Sequence, residues 1–488
     1  MITFLISVLM LILGYFLYGK FIERHFEVDA NRQTPAVKIN DGVDFVPMPL
    51  WKVFMIQFLN IAGLGPIFGA VLGAMYGPMA YLWIVFGCIF MGATHDYFSG
   101  MLSLRENGLS LPELVGKYLG KYARPLLAIF TIVLLIFVGV AFVSGPAKLL
   151  NGLTGGNILW WIYIIFSYYL LATLLPINKI IGKLYPFFGG TLLIMALGIL
   201  GAMIYHSMDG TLHLQELSLG SFKNFHHDSE ENLLFPMMFI VISCGAISGF
   251  HATQSPMMAR CLTNEKYGRP AFYGAMIAEG IVALIWATVA MNFFGGVESL
   301  NRVLTSPISE TNRTIADPSW VVNYISHQWL GTFGATLAII GVVACPITTG
   351  DTAFRSARLI IADAIGVPQK KLFSRVLLSI PLFMVAMVLT FEFKDEFQTV
   401  WRYVGISNQL LAVVVLWTIA VYLAKNNKRH WLMSVPATFL TIVCISYLMV
   451  APLKSGGMGF PSSVGIPIGI VSGLFSLVIF LFFAKRKQ

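Results

Sequence analysis

The sequence has 488 residues, of which 57% are hydrophobic and only 11% are charged. A soluble chain of this length would carry about 25% charged residues, so the composition excludes a soluble multidomain protein. The formal net charge of +9 fits the basic loops that membrane proteins place in the cytoplasm and does not indicate nucleic-acid binding.

Apolar runs follow one another along the whole chain. Each run is long enough to cross a hydrocarbon core of about 30 Å as an α-helix, and none alternates with the period of two that a membrane β-barrel requires. The sequence therefore predicts an all-α integral membrane protein with about 13 transmembrane helices. The predicted spans are 2–19, 51–76, 78–104, 123–144, 158–176, 186–206, 235–259, 270–295, 329–355, 375–391, 402–424, 430–451 and 464–484. The polar stretch 105–122 predicts an interfacial helix.

The basic residues predict the orientation of these helices. When the helices alternate from an outside N-terminus, most Lys and Arg fall on the cytoplasmic side, and Arg355 and Arg358 are interpreted as two of these inside charges. The loops 207–234 and 296–328 are polar and acidic and fall outside. We therefore expect a multi-pass protein of the cytoplasmic membrane with its N-terminus outside and its C-terminus in the cytoplasm.

Two predicted helices carry glycine and proline near their middle, in NIAGLGPIFGA (60–70) and SCGAISGFHATQSP (243–256). Such breaks free backbone groups, which a membrane tolerates only where protein or a water-filled cavity satisfies them. A single break is explained better by a packing kink. Two breaks five helices apart predict two inverted five-helix repeats that meet at a binding site near the midplane. The predicted domains are an N-terminal helix and loop (1–50), the first repeat (51–206), an extracellular loop (207–234), the second repeat (235–424) and two C-terminal helices (425–488).

Six blocks of the sequence resemble, in this order, those of the carbon starvation protein A (CstA) family. They are AGLGPIFGAVLGAMYG, GATHDYFSGMLSLRENGLSLPEL, CGAISGFHA, YGAMIAEG, TTGDTAFRSARLIIAD and GISNQLLA. The resemblance spans about 45–425 and implies a transporter of the amino acid–polyamine–cation superfamily with a LeuT-like core. It also implies an association with the uptake of peptides and of pyruvate during nutrient limitation. The chain is shorter than the long members of the family, mainly in its last third.

The two breaks predict the substrate site. Half-helix N-termini attract anions through their dipole and free N–H groups, and no Lys or Arg lies deep in a predicted span to pair one. We therefore expect a small carboxylate, either a short peptide or pyruvate, to bind there. Packing of a histidine against freed backbone is the alternative for His251. The predicted substrate-binding residues are Gly63, Gly65, Ser248, Gly249, His251 and Gln254.

Glu279, His251 and Asp96 are predicted to couple transport to protons. Glu279 lies nine residues into its span, about 14 Å deep at the α-helical rise, where a charge costs at least about 3 kcal/mol. Imidazole titrates near neutral pH, which suits His251 to a proton relay. The alternatives are a hydrogen-bonded structural carboxylic acid for Glu279 and, for Asp96, an interfacial pair with His95 near the inner end of its span.

A Na⁺ site is the alternative coupling site, formed by hydroxyls and a carboxylate near the inner end of the ninth span together with carbonyls freed at the first break. Helix-end hydrogen bonding, with Asp351 paired to Arg355 one turn on, explains the same residues equally well. The candidate Na⁺ ligands are Thr348, Thr349, Asp351 and Thr352.

Asn408 and Gln409 are predicted either as an outer gate or as helix-packing amides. The chain contains no H-E-x-x-H, G-x-S-x-G or C-x-x-C motif of an enzyme or metal site, and no repeated pore loop of a channel. The predicted function is a secondary transporter driven by an ion gradient, H⁺ before Na⁺. We expect no cofactor and no nucleic-acid partner, only the substrate and the lipid bilayer.

Overall fold

The computed structural model describes residues 1–154, 156–179, 181–305, 317–393 and 397–485. Helices joined by loops make up this part of the chain, and we number the main ones in chain order. They are α1 (Ile2–Phe26), α2 (Leu50–Ile61), α3 (Gly65–Tyr76), α4 (Met79–Arg105), α5 (Leu111–Leu119), α6 (Ala123–Thr154), α7 (Ile158–Leu174), α8 (Ile181–Met208), α9 (234–241), α10 (His251–Ala259), α11 (Glu265–Phe293), α12 (Val297–Thr305), α13 (Pro318–Ile365), α14 (Leu372–Glu392), α15 (Phe397–Lys425), α16 (Trp431–Val450) and α17 (Ser462–Lys485).

The helices confirm the predicted all-α membrane class. Within the described residues, 9 helices are long and apolar enough to cross a membrane, and the bent pair α2–α3 brings the number to 10. The predicted interfacial helix is α5, which spans 9 residues. α13 is longer than its predicted span because it begins at Pro318 and continues through a bend at Gly331, where φ is 61°.

Two crossings are interrupted near the predicted glycines. Residues 62–64 separate α2 from α3, which are bent by 53° relative to each other, and residues 242–250 separate α9 from α10. We call these segments the first break and the second break. The sequence predicts them at 62–66 and 245–251; the first is shorter than expected because Gly65 already begins α3.

The beginning of α3, directly after the first break, packs against the second break and the end of α9. A Cβ on Gly65 would collide with the side chain of Cys244 in the second break, and a Cβ on Gly69 would lie 2.9 Å from the carbonyl oxygen of Val241. Only glycine allows the backbones to approach this closely. α11 and α13 pack against α2, and α4 packs against α10, so these helices enclose the junction of the two breaks.

Arg355 and Arg358, interpreted from the sequence as positive residues of the inside loops, are buried, with 1% and 0% exposure. Both bind Oδ1 of Asp44 in the loop before α2, at 2.8 and 3.1 Å. Burial raises the pKa of Asp44, but Arg358, Arg355 and Arg260 more than offset it and hold the net pKa below its ordinary value. Arg355 therefore has Asp44 as its carboxylate partner, and the predicted alternative pairing with Asp351 is wrong.

Candidate functional site

Four ionisable side chains form a continuous chain beside the second break. Asp96 of α4 lies between two imidazoles: Nδ1 of His95 is 2.8 Å from its Oδ1, and Nδ1 of His251 is 2.9 Å from its Oδ2. Nε2 of His251 lies 3.6 Å from Oε2 of Glu279 on α11, somewhat beyond hydrogen-bond distance. All four residues are completely buried. The structure thus brings together the three residues predicted for proton coupling.

The burial of Asp96 corrects one expectation from the sequence. The pair with His95 exists, but it is not interfacial, because α4 packs directly against α10 and α11 over this stretch. The residues from Ala93 to Leu104 are all buried for the same reason. Asp96 therefore belongs to the protein interior beside the second break, and not to a membrane surface.

The hydrogen bonds restrict where a proton can reside. An ionised carboxylate only accepts hydrogen bonds, so Nδ1 of His251 is the donor towards Asp96, and Nε2 is left to face Glu279. Nε2 of His251 and both carboxyl oxygens of Glu279 have no hydrogen-bond partner among the described residues. An uncompensated charge is costly in such a place. The pair is therefore suited to share one proton, carried either by the imidazole or by the carboxyl group.

The amides of α15 hold the second break. Oδ1 of Asn408 accepts the Phe250 N–H at 2.6 Å, and its Nδ2 donates to the Ser248 hydroxyl at 2.9 Å. Nε2 of Gln409 donates to the carbonyl oxygen of Ile247 at 3.0 Å. Both amides thus satisfy polar groups that the break would otherwise leave unpaired in the membrane interior.

The beginning of α10 has fewer free N–H groups than the sequence predicts. The N–H groups of His251, Ala252 and Thr253 donate to carbonyl oxygens three residues earlier, at 3.3, 3.1 and 2.9 Å. The side chain of His251 is also directed at Asp96 and Glu279. The beginning of α3 offers few free N–H groups as well, because Pro66 has none and those of Ile67 and Phe68 donate to the carbonyl oxygen of Leu64 at 3.3 and 2.7 Å.

The first break faces α13. The thiol of Cys345 donates to the carbonyl oxygen of Ala62 at 2.6 Å. The hydroxyl of Thr349 donates to the carbonyl oxygen of Cys345 on α13 at 2.9 Å and lies 3.4 Å from that of Leu59 on α2. A Cβ on Gly63 would lie 3.2 Å from Oγ1 of Thr349. The hydroxyl of Thr349 is thus the one candidate Na⁺ ligand that the structure places directly against this break among the residues described.

The remaining candidate Na⁺ ligands do not converge with Thr349. Oδ1 of Asp351 accepts a hydrogen bond of 2.5 Å from the hydroxyl of Tyr185 on α8. The hydroxyls of Thr348 and Thr352 donate to carbonyl oxygens of α13 itself. The expected cage of oxygens around the first break is therefore incomplete, because its carboxylate points towards α8.

Four buried amides near the breaks have unpaired polar atoms, and one of them is Gln409 of α15, whose Oε1 has no partner among the described residues. On α2, Gln57 and Asn60 are completely buried, and neither the oxygen nor the nitrogen of either side chain has a hydrogen-bond partner in the described part of the chain. On α10, Nε2 of Gln254 donates to Thr253 at 3.0 Å, while its Oε1 is unpaired among the same residues. Gln57 and Asn60 were not predicted; two amides in an apolar run just before a break were the available signal.

Comparison with known families gives one match over most of the chain. The family model described as "Carbon starvation protein CstA" matches residues 1–158, 147–328 and 319–447. Together these segments contain both breaks, the four-residue ionisable chain and the amides of α2 and α15. The match therefore covers the whole site.

Individual relatives extend this match. An uncharacterized membrane protein of Haemophilus influenzae is 42% identical over 371 residues, which are 67% of this chain and 99% of that protein. A protein named peptide transporter CstA, from Campylobacter jejuni, is 26% identical and covers 92% of this chain and 79% of its own length. A protein named pyruvate/proton symporter BtsT, from Escherichia coli, is 25% identical and covers 92% of this chain and 81% of its own length.

Solved structures of membrane transporters share the fold. A manganese transporter of Eremococcus coleocola superposes with a TM-score of 0.53 at 14% identity and covers 92% of this chain and 99% of its own. Mhp1, a nucleobase-cation-symport-1 family transporter, superposes with a TM-score of 0.50 at 12% identity and covers 90% and 92%. At such identities the likeness shows the fold alone, which is the predicted LeuT-like transporter fold.

Proposed function

The chain belongs to the carbon starvation protein CstA family and is a secondary transporter, and we propose that protons drive its import of a small carboxylate-bearing nutrient. The names of two relatives, a peptide transporter and a pyruvate/proton symporter, suggest a short peptide or pyruvate as that nutrient. Transport would proceed by alternating access around the junction of the two breaks, as in other transporters with discontinuous helices.

The observation that carries this proposal is the buried chain from His95 through Asp96 and His251 to Glu279. It connects α4, α10 and α11, and His251 is the first residue of α10 directly after the second break. A rearrangement of the break would move His251 relative to Glu279, because the two residues lie on different helices. Substrate binding at the breaks would thereby change which of the two groups holds the proton.

The first break supports a carboxylate as the bound group. α3 begins at Gly65, so its positive end lies at the junction of the breaks, where a helix dipole contributes about 0.3–2 kcal/mol to the binding of an anion. Gly63 and Gly65 carry no side chain, but Thr349 and Cys244 already pack against them, so a ligand would reach their backbone only after the two breaks move apart. Ser248 and Gln254 border the same junction from the second break and α10.

Sodium coupling is the second candidate, and one observation favours it. The hydroxyl of Thr349 lies against Gly63 of the first break and 3.4 Å from the carbonyl oxygen of Leu59 on α2, while it donates to the carbonyl oxygen of Cys345 at 2.9 Å. Hydroxyl and carbonyl oxygens are common ligands of hard cations. The carboxylate that would complete the site, Asp351, instead accepts a hydrogen bond from Tyr185. Proton coupling is therefore the better supported of the two.

The test is uptake into proteoliposomes under imposed gradients. In the wild type, an inward proton gradient should drive accumulation of dialanine or pyruvate, and an inward sodium gradient alone should not. Glu279→Gln should abolish accumulation while retaining at least about half of the exchange measured by counterflow, because the amide cannot release a proton. The exposed Glu298 of α12 supplies the control Glu298→Gln, which should accumulate substrate normally.

Three results would contradict the proposal. Accumulation by Glu279→Gln under a proton gradient would remove Glu279 from the mechanism. Accumulation driven by sodium alone would replace the proton with Na⁺ and direct attention to Thr349. Absence of uptake of both substrates by the wild type would exclude the proposed nutrients.

A further inference from the structure

Gln57 and Asn60 present four polar side-chain atoms that no described residue satisfies. Both side chains are completely buried, whereas buried polar groups in folded proteins are almost always hydrogen-bonded. An amide kept unpaired in the interior lowers the stability of the protein. Two such amides lie within one helical turn here. Their polar atoms are therefore expected to bind a molecule that is not part of the protein chain.

The position of the two amides points to the site. Residues three apart share one face of a helix, and this face of α2 is turned away from Met55 and Leu59, which lie against Gly189 of α8. α2 also packs against α10, α11 and α13, which enclose the breaks. Asn60 is followed by only one further residue of α2 before the first break begins.

The unpaired atoms around the junction are mostly hydrogen-bond acceptors. Besides the oxygens of Gln57 and Asn60, Oε1 of Gln254, Oε1 of Gln409 and both carboxyl oxygens of Glu279 lack a partner among the described residues. The only unpaired amide donors among these residues are the NH₂ groups of Gln57 and Asn60. A ligand that satisfied this set would have to donate hydrogen bonds as well as accept them.

We propose that Gln57, Asn60 and Gln254 form an amide subsite that receives an N–H group of the substrate and makes this transporter select amide-bearing substrates. A peptide bond offers one N–H and one carbonyl oxygen, which pair with the oxygen and the NH₂ group of a carboxamide side chain. Pyruvate has no N–H and leaves the amide oxygens unpaired. This inference rests on the proposed function and decides between the two nutrients considered there.

The test compares dialanine with its ester analogue alanyl-lactate, in which an oxygen replaces the peptide N–H while the shape and both charged ends remain. The wild type should take up dialanine with a half-saturating concentration at least tenfold lower than that of the ester. The double variant Gln57→Met with Asn60→Leu keeps the side-chain volume but removes the amides. This variant should raise the half-saturating concentration of dialanine at least tenfold and abolish the preference for dialanine over the ester.

Two further readouts separate this role from a structural one. Without substrate, the double variant should unfold at the same or a higher temperature than the wild type, because an apolar side chain replaces an unpaired polar one. The control Asn292→Leu removes a buried amide whose donor and acceptor are both hydrogen-bonded within the protein. Its Nδ2 donates to the carbonyl oxygen of Thr288 at 2.7 Å, and its Oδ1 accepts the N–H of Gln215 at 2.7 Å. This control should lower the unfolding temperature and leave the preference for dialanine unchanged.

The possible failures are distinguishable. If the wild type takes up dialanine and the double variant keeps the same preference over the ester, the amide subsite is wrong and the proposed function stands. If the wild type takes up pyruvate and the ester as readily as dialanine, selection of N–H groups is excluded. If it takes up none of the three, the proposed function falls together with the subsite. If the double variant fails to fold, the same comparison is made with Gln254→Met, which should also reduce the ratio between the half-saturating concentrations of the ester and of dialanine.

Discussion

Gly249 positions the second break by having no side chain. A Cβ at this position would collide with the backbone at Asn408 and Ala412 of α15, and neither backbone can move as a flexible side chain would. The close contact lets Asn408 reach the N–H of Phe250. A residue that the sequence marks only as a helix breaker thus also fixes the distance between the break and α15.

We expect Gly249→Ala to destabilise the protein by about 1–3 kcal/mol or more, the usual cost of overpacking a filled interior. The measurement is the thermal unfolding temperature of the purified protein in detergent. Gly190→Ala on α8 is the matched control, since a Cβ there has no heavy atom within 4 Å. Alanine is the better helix former by about 1 kcal/mol, so the control should be neutral or stabilising. Equal unfolding temperatures for both variants would contradict the close contact.

Residue types were predictable from the sequence to different degrees at this site. Glu279 and His251 stand out because a charge inside an apolar run is costly and is retained mainly where it has a use. Gln57 and Asn60 escaped because an uncharged amide is a weaker signal. The hydrogen bond between His251 and Asp96 depends on the packing of α10 against α4. The spacing of apolar residues within each helix does not predict which helices pack together.

At the scale of elements, the loop between α1 and α2 is held in a defined shape. Oδ1 of Asp41 accepts the backbone N–H groups of Val43, Asp44 and Phe45 at 2.8, 3.0 and 2.9 Å. The turn directs Asp44 into the interior, where it binds two arginines of α13. The loop is therefore a structural connection between α13 and the segment that joins α1 to α2.

The same loop is also bonded to two other connections. The carbonyl oxygen of Val43 accepts the N–H of Ile177 between α7 and α8 at 3.0 Å, and the N–H of Met48 donates to the carbonyl oxygen of Cys261 after α10 at 3.0 Å. Residues 41–48 thus join the ends of helices from both predicted repeats. A change that releases this loop would let those helix ends separate at this face of the protein.

We expect Asp44→Asn to destabilise the protein by about 3–5 kcal/mol, the usual cost of leaving a buried charge unpaired. The pKa of Asp44 lies below its ordinary value in the folded protein, so its contribution is present above the unfolded pKa of about 3.9 and is lost as the pH falls through the folded pKa. Thermal unfolding at pH 7 and at lower pH measures both effects. The difference between wild type and variant should shrink towards acid pH.

The matched control for this prediction is Asp363→Asn. Asp363 also pairs with an arginine, Arg260, at 3.2 Å, but its side chain is 27% exposed. Partly exposed ion pairs contribute about 0–1 kcal/mol, so this variant should unfold close to the wild type. A loss of stability equal to that of Asp44→Asn would show that burial of the pair is not what matters.

Helix positions could be read from the sequence, but helix ends inside the membrane could not. The apolar runs of α4, α11 and α16 give their positions because length and hydropathy decide membrane insertion. The second break extends over 242–250 instead of the predicted 245–251. Its length depends on the hydrogen bonds that Asn408 and Gln409 supply from α15, and these partners are distant in the sequence.

At the scale of the whole molecule, the loops form one polar layer around the N-terminus. The ammonium group of Met1 binds Glu216 in the loop after α8. The same loop continues to Glu231, which pairs with Lys454 after α16 at 2.7 Å, and Asn301 of α12 contacts the loop at the carbonyl oxygen of Phe225, at 3.2 Å. These connections all fall on one side when the predicted helices alternate.

A second layer gathers the other loops. Lys428 before α16 pairs with Glu27 after α1 at 3.1 Å, and Arg105 at the end of α4 pairs with Glu265 at the beginning of α11 at 3.2 Å. The loops of this layer are separated from those of the first by an odd number of predicted crossings in every case. The contacts thus agree with the predicted alternation of helices. The side on which each layer lies is a separate prediction, made from the distribution of Lys and Arg.

Cysteine labelling in intact cells tests this orientation. Met208 at the end of α8 and Tyr122 before α6 are 82% and 81% exposed, and they fall in opposite layers. The native cysteines are buried except Cys244, which is of intermediate exposure, so Cys244→Ser gives a nearly silent background. A membrane-impermeant thiol reagent should label Met208→Cys in intact cells and Tyr122→Cys only after permeabilisation.

The reverse pattern would invert the orientation, because the layers would keep their contacts but exchange sides. Labelling of both in intact cells would contradict the alternation itself, since an odd number of crossings cannot leave the two positions on the same side.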